Sequence, residues 1–307
     1  MKIALITGKS GNTLTKALIH KGHEVYVITG DKETGGVKYA KDSFVHYFSI
    51  EDDNSQIYED ICTWVLKYKV QGLILGTGVW FALDLAKILN DRYNIPTSHE
   101  VNFLSIFKNK LETKVLFEKY NLPTLPYQFV KDYSKVDFPI PFVVKSNIDL
   151  FPVWLCHSKE EFYEFRKELP EHILNKGILL EEYLGGNDAT IPVSVTKKEI
   201  IAPCVVYWSK QQNYRLKGFG ELNPDKLDLK QTQSVLQKCK KMIQNTEYLG
   251  LCRFDLRIAD NKYYLLEINS VVSIRNEGSS YQAMRREGID YVDFALNTYL
   301  TNIETTL

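Results

Sequence analysis

The sequence predicts an α/β protein, with a Rossmann-like unit at the N-terminus followed by two smaller α+β units. Three observations carry this. Residues 1 to about 95 alternate short apolar runs with amphipathic stretches, the pattern of parallel strands joined by crossover helices. Polar, proline-bearing text at Asn94 to His99 (NIPTSH) then ends that pattern and marks a boundary. Beyond Gly186 several strand candidates flank a polar stretch and one helix, which suggests a mostly antiparallel sheet with helices on one side. The expected division is residues 1–95, 96–184 and 185–307.

The elements follow from local pattern. In the first unit, Lys2 to Thr7 (KIALIT) is the first strand, Thr13 to Lys21 a helix, and His23 to Ile28 (HEVYVI) the second strand. Gln71 to Leu75 is a later strand that turns at Gly76 to Gly78 into a helix over Phe81 to Asn90. In the second unit, a helix at Lys110 to Tyr120 precedes the turn LPTLP, a strand at Phe142 to Ser146, a charged helix at Glu160 to Leu169 and a strand at Gly177 to Glu182. The third unit has strands at Thr190 to Val195, Ile200 to Val206, Cys252 to Ile258 and Lys262 to Ile268, with a helix near 231 to 244. No internal repeat or low-complexity segment interrupts the chain.

Bulk composition excludes several functions. With 307 residues, 44% of them apolar, the chain can bury more than one core. Lysine plus arginine and aspartate plus glutamate each number 38, so no net field draws the molecule to nucleic acid or to an anionic membrane, and any anion site must be local. The five cysteines are scattered without metal-finger spacing and read as reduced core thiols. The N-terminal apolar run is cut by Thr7, Gly8 and Ser10, too short for a membrane span, so a cytoplasmic protein is expected. The six histidines show no HExxH and no close pair on a helix face, and no GxSxG elbow is present. Gly8-Lys9-Ser10 lacks the earlier glycine of a phosphate-cradling P-loop, and Gly76-Thr77-Gly78 is an incomplete dinucleotide fingerprint.

The most informative text is Arg253-Phe254-Asp255-Leu256-Arg257, a turn at Asp260 to Lys262, and Tyr263 to Asn269 (YYLLEIN), which reads as a β-hairpin. Residues two apart on a strand share a face, so Glu267 and Asn269 point the same way, as do Arg253, Asp255 and Arg257. If the two sets share one face, three hard oxygen ligands converge with two arginines, the composition a magnesium–nucleotide site needs. An ordinary hairpin with a solvated polar face would carry the same residues. Lys145 ends the strand PFVVK and Lys110 opens the helix KLETKVLFEKY. A lysine so placed can hold phosphate as a point charge in a cleft, or can lie on the surface. Ile178 to Tyr183 (ILLEEY) is an apolar strand ending in two acids before Gly185-Gly186-Asn187-Asp188. Such a strand end offers backbone groups to an adenine edge and an acid to ribose hydroxyls, unless it is a plain β-turn.

Taken in order, these segments resemble the ATP-grasp superfamily over roughly residues 105 to 300, and the C-terminal third looks most like D-alanine–D-alanine ligases. The pieces are NKLETKVLFEKYNLPTLP, PFVVKS, LLEEYLGGND, RFDLR, and LLEINS followed by a helix ending at REGIDY. The resemblance implies an ATP-grasp fold, with ATP held between the second and third units. It implies a ligase that joins a carboxylate to an amine through an acyl phosphate, with amino acids or small peptides as substrates. Residue by residue, it makes Lys110 and Lys145 ligands of the ATP phosphates, sets Glu181, Glu182 and Tyr183 at the adenine hinge, and gives Asp188 the ribose. Asp255, Glu267 and Asn269 become ligands of one or two Mg2+ ions, with Mn2+ as a substitute, and Arg253 neutralises the transferring phosphate. Ser273 is the candidate oxyanion donor and Arg275 the candidate clamp for a substrate carboxylate. Homodimers are common in the family. Carboxylase or purine-biosynthetic ATP-grasp enzymes fit the N-terminal text about as well, and a nucleotide-binding protein without turnover is the non-catalytic alternative.

The chain departs from the family in four places. The family's mobile glycine and serine loop is replaced by SNIDLFPVW, which has no glycine. The Asn-Thr-x-Pro-Gly text of the dipeptide ligases is replaced by Asn269 to Ser273 (NSVVS). Arg275 and Asn276 stand where the family has small polar residues, which implies a remodelled acceptor pocket. A further family lysine falls near Asn213, between Lys210 and Lys217.

Overall fold

Each N-terminal apolar run becomes a strand covered on both faces, as strands of a parallel sheet between helices must be. The computed structural model describes residues 1–49, 53–78, 80–134, 136–148, 153–207, 229–272, 274 and 279–307. Strands β1 (Lys2–Thr7), β2 (Glu24–Thr29), β3 (Asp42–Val45) and β4 (Gly72–Leu75) form a parallel sheet in the order β3-β2-β1-β4. The connecting helices are α1 (Gly11–His20), α2 (Ser55–Tyr68) and α3 (Trp80–Tyr93). The edge strand β3 is only half-buried, and Asp42 holds α2 against it by accepting hydrogen bonds from Trp64 Nε1 (3.3 Å) and the Tyr68 hydroxyl.

Two short helices, α4 (Val101–Lys108) and α5 (Lys110–Lys119), lead into an antiparallel sheet. Its strands are β5 (Tyr127–Val130), β6 (Phe142–Ser146), β7 (Trp154–Cys156) and, after helices α6 (Lys159–Lys167) and α7 (Glu171–Lys176), β8 (Ile178–Glu182), in the order β5-β8-β6-β7. Phe142, Val144, Ile178 and Leu180 point to one face and pack with Phe162, Phe165 and Ile173 in a core of their own. The other face carries Val143, Lys145, Leu179 and Glu181, which are buried as well.

The third sheet contains β9 (Asn187–Val195), β10 (Ile200–Ile201) and β11 (Val206–Tyr207), then, after helix α8 (Leu229–Gln244), β12 (Gly250–Ala259) and β13 (Lys262–Asn269). All pairings are antiparallel, in the order β10-β9-β12-β13, with β11 also on β9. The expected single strand over Ile200 to Val206 is thus two short pieces. Pro203 lies between them and has no N–H to donate to a ladder. Phe254, Leu256, Ile191 and Val193 face α5 and α8 in the largest core.

Helices α9 (Ser279–Arg286) and α10 (Tyr291–Glu304) close the chain. Helix α10 packs Tyr299 and Ile303 with Leu251 of β12 and with Ile3, Leu5 and Ile74 of the first sheet. The third sheet therefore has helices on both faces, not on one. Asn302 Nδ2 ties α10 to the carbonyls of Ser98 (3.2 Å) and Val195 (3.1 Å), and a Cβ at Gly72 would run into Ile303.

Candidate functional site

The hairpin β12–β13 sets the site by register. Arg253 pairs with Asn269, Phe254 with Ile268 and Asp255 with Glu267, after which a bulge shifts the ladder so that Leu256 meets Leu265. Directly opposed residues share a face. Arg253, Asp255, Glu267 and Asn269 therefore stand on one face, while Phe254 and Ile268 are buried on the other. The bulge switches parity, so Leu265 and Tyr263 stay in the core where simple alternation would have sent Leu266 and Tyr264. Strand β9 adds to the polar face, because Thr190 lies beside Asp255 and Asp188 beside Arg257.

Hydrogen bonds order this face. Arg253 Nε and Nη2 both donate to the Asp255 carboxylate at 2.7 Å, a bidentate geometry. Thr190 Oγ1 donates to Asp255 Oδ1 at 2.9 Å. Asn269 Nδ2 donates to Asp255 Oδ2 at 2.7 Å and to Glu267 Oε1 at 3.4 Å, so its amide oxygen faces away from both acids. Burial acts to raise the Glu267 pKa, but Lys110, Lys145 and Arg253 outweigh it and hold the carboxylate below its ordinary value. Lys110 and Lys145 thus lie near enough for their charges to act on Glu267. Lys110 is set by the end of β6: its N–H donates to Asn147 O (2.9 Å) and the N–H of Leu111 to Asn147 Oδ1 (3.0 Å).

The donor set fits a hard divalent ion that also takes phosphate oxygens and water. It offers two carboxylates, with no sulfur or imidazole, and the Asn269 amide oxygen joins them only once that amide, which now turns its NH2 to both acids, is rotated. Among the described residues no group of three or more His, Cys, Asp or Glu side chains converges to hold a metal ion.

On β8, Glu181 is 2% exposed and accepts from two lysines, Lys145 of β6 and Lys114 of α5. Its burial acts to raise its pKa, and the two lysines together hold it below the usual carboxylate range. Glu182 is exposed and stands on the opposite face of β8, so its side chain is not brought to the cleft. The N–H groups of Glu182 and Tyr183 donate to the carbonyls of Pro126 (2.9 Å) and Pro141 (3.2 Å). Both N–H groups are thus already engaged within the chain. Asp188 pairs with Arg257 (3.2 Å), and burial raises its pKa against that arginine's pull. Arg257 Nη1 also donates to Gly186 O (3.3 Å), fixing a turn in which Gly186 has φ +126° and no room for a Cβ beneath Ile258 O.

The first sheet meets the segment that leaves β13. The N–H of Ile274 donates to Ser10 Oγ (3.1 Å), and Gly78 lies against Val271. The segment leaving β13 thus returns to the loops at the carboxyl ends of β1 and β4, where open α/β sheets present their ligand crevices. Ser273 and Arg275 lie outside the described residues, as do Asn276, most of the glycine-free segment after Asn147 (149–152), and Lys210, Asn213 and Lys217. Ser280 is buried at the start of α9. Sequence reasoning missed Lys114 and Thr190. Lys114 left a faint signal, a lysine three residues before the core residue Phe117 and so on the same helix face.

No protein-family model matches the chain. Among curated proteins it is 23% identical over 291 residues to a phosphoribosylamine–glycine ligase of Fusobacterium nucleatum, covering 83% of this chain but only 65% of that enzyme. It is 22% identical over 334 residues to a D-alanine–D-alanine ligase of Carboxydothermus hydrogenoformans, covering 99% of both. Among solved structures, an L-amino acid ligase from Bacillus licheniformis superposes with a TM-score of 0.78 at 15% identity, over 97% of this chain and 74% of that one. A D-alanine–D-alanine ligase from Bacillus anthracis complexed with ATP gives 0.69 at 15% identity, over 99% of both.

Proposed function

We propose, from the premise that this chain has the ATP-grasp fold, that it is an ATP-dependent carboxylate–amine ligase working through an acyl phosphate. The observation that carries this is the polar face of β12 and β13, where Asp255, Glu267 and Asn269 stand together beside Arg253, with Lys110 and Lys145 near enough to act on the Glu267 charge. A magnesium ion held by Asp255, Glu267 and Asn269 would neutralise and orient the phosphate oxygens between the lysines. Lys110 and Lys145 bind phosphate oxygens, Glu181 faces the base, and Asp188 accepts from the ribose. The substrate carboxylate enters between the Gly8–Ser10 loop and the segment after Asn269. Its oxygen attacks the γ-phosphorus and ADP leaves. The amine then adds to the acyl carbon, and phosphate departs as the amide forms. Arg253 stabilises the charge that develops on the transferring phosphoryl group and on the tetrahedral oxygen. No side-chain nucleophile is needed, since positioning and charge neutralisation lower the barrier. Ser273 as oxyanion donor and Arg275 as carboxylate clamp belong to the same proposal, as do the hinge roles of Glu182 and Tyr183.

Small carboxylates and amines, chiefly amino acids or small peptides, are the proposed substrates. The three-part division, a cytoplasmic setting and a homodimer are likewise proposals. Among the described residues no helix is long and apolar enough to cross a membrane. A second reading, an enzyme of the carboxylase or purine-biosynthetic branch, is favoured by the likeness to the phosphoribosylamine–glycine ligase and to N5-carboxyaminoimidazole ribonucleotide synthetases. The test is magnesium-dependent ADP release across a panel of amino acids, amino-acid pairs, small carboxylates and bicarbonate, with Glu267→Ala as control. ADP released with one donor–acceptor pair and lost in the variant supports the ligase. Release with bicarbonate selects the second reading, and a chain that fails to bind Mg-ATP overturns both.

A further inference from the structure

Lys114 has no place in the chemistry above, yet it is completely buried, which a lysine tolerates only when its charge is matched. Its ammonium has three protons and meets three acceptors: Thr124 Oγ1 at 2.6 Å, Leu265 O at 3.3 Å, and Glu181 Oε1. The remaining Glu181 oxygen takes Lys145. One buried carboxylate is therefore shared by two cations. The two are not equivalent. Lys114 is fixed at every proton and joins α5 to β8 and β13, whereas the Lys145 side chain is 10% exposed and close enough to Glu267 to lower its pKa.

The excess cation matters once a phosphate arrives. Withdrawing the sole partner from a buried carboxylate leaves an uncompensated charge and is strongly unfavourable. With two partners present, one can leave. We propose that Lys114 is a positioning residue, the permanent counter-ion of Glu181, which frees Lys145 to move onto a nucleotide phosphate while Glu181 stays fixed at the base end of the cleft. This rests on the ATP reading given above.

The surroundings give the idea a pH signature. Burial pushes the Lys114 ammonium down to about 8, with Glu181 and Glu267 opposing and Lys145 adding to the fall. The Tyr127 ring, 5.9 Å away, is the other titratable group facing it, and that phenol is pushed up to about 12 and stays neutral. As pH rises past Lys114's pKa, the ammonium loses its charge, Glu181 retains Lys145, and nucleotide binding weakens.

The experiment measures Mg-ATP affinity between pH 6.5 and 9 for the wild type, Lys114→Met, Lys114→Arg and Lys145→Met, together with urea unfolding of each without nucleotide. Lys114→Met is expected to bind Mg-ATP at least about tenfold more weakly at pH 7, and Lys114→Arg to restore binding and remove the decline above pH 8. Lys145→Met is expected to lose nucleotide yet unfold near the wild-type midpoint, because Glu181 keeps Lys114. Should Lys114→Met not fold, the Lys145→Met unfolding and the wild-type pH profile still decide. Wild-type affinity and pH profile in Lys114→Met, or a Lys145→Met loss of stability as large as that of Lys114→Met, would overturn the proposal. A wild type that binds no Mg-ATP would instead remove the function reading beneath it, and the nucleotide-free stability comparison would still test the counter-ion role.

Discussion

Replacing Thr190 by valine isolates one hydrogen bond at the acidic face. Threonine and valine have nearly the same shape, and Thr190 is 2% exposed, so the change removes a donor without opening a void. The lost bond is Thr190 Oγ1 to Asp255 Oδ1, 2.9 Å, to a carboxylate that keeps Arg253 and Asn269. A hydrogen bond to a charged group contributes about 1.5–3 kcal/mol, so unfolding should become easier by an amount in that range. The functional effect is separable from the stability effect. If Asp255 holds the metal, Thr190 is the partner that orients it, and loss of such a partner costs about 10–100-fold in metal affinity or activity. The assay titrates magnesium at fixed ATP, reading nucleotide binding or ADP release, for the wild type and Thr190→Val. A half-saturation raised by that factor supports the metal assignment. An unchanged magnesium response alongside the stability loss would refute it and leave Asp255 as the structural partner of Arg253 alone.

Three further outcomes follow from particular contacts. His99 is 1% exposed, bonded to Ser98 Oγ (2.8 Å) and Leu251 O (3.4 Å), and burial pushes its imidazole down to about 3. The unfolded chain then takes up a proton that the native state refuses, so stability falls as pH drops through about 6.5 toward 3, by at most about 1.4 kcal/mol per unit. Urea unfolding at pH 7 and pH 5 should show this, and His99→Gln should flatten the slope. Gly72→Ala places a methyl against Ile303 Cγ2 and should destabilise by about 1–3 kcal/mol, with part of that loss recovered when it is made in an Ile303→Ala background, both read by urea unfolding. Phe254→Ala, at a fully buried position directly behind the acidic face, should cost about 3–5 kcal/mol by the same measurement.

The strands with clean periodicity were legible in the sequence, and Phe142–Ser146 was read to the residue. That Glu267 shares a face with Asn269, and Arg253 with Asp255, was also legible from alternation, but whether the two pairs share one face was left open until the Arg253–Asn269 register settled it. Strand β3 and helix α2 were missed. DSFV is half-buried and carries no run of apolar residues, and its place depends on Asp42 meeting Trp64 and Tyr68 some twenty residues onward. Helix α10 did leave a signal, Asp290 as N-cap and apolar residues from Tyr291 to Ile303, but its destination on the first sheet is a long-range fact.

The harder failures share one cause. In YYLLEIN alternation permits either Tyr264, Leu266 and Ile268 or Tyr263 and Leu265 as the buried set, and the bulge takes Ile268 from one and Leu265 with Tyr263 from the other. In α5 a hydropathy stripe favours Val115, yet Val115 is 51% exposed and Lys114 is buried. Both inversions lie at the junction where the third sheet meets α5 and the second. Thr124 bridges Leu265, the Leu265 N–H donates to Pro123 O (2.8 Å), and Lys114 reaches Leu265 O. Local rules assign residues to water or to oil, and this junction is neither: it is a buried polar seam whose partners come from three separate elements. The same seam carries Glu181 at one end and, two residues beyond Leu265, Glu267 at the other. Sequence periodicity thus breaks along this seam, where a buried charge is tolerated because each of its protons meets an acceptor.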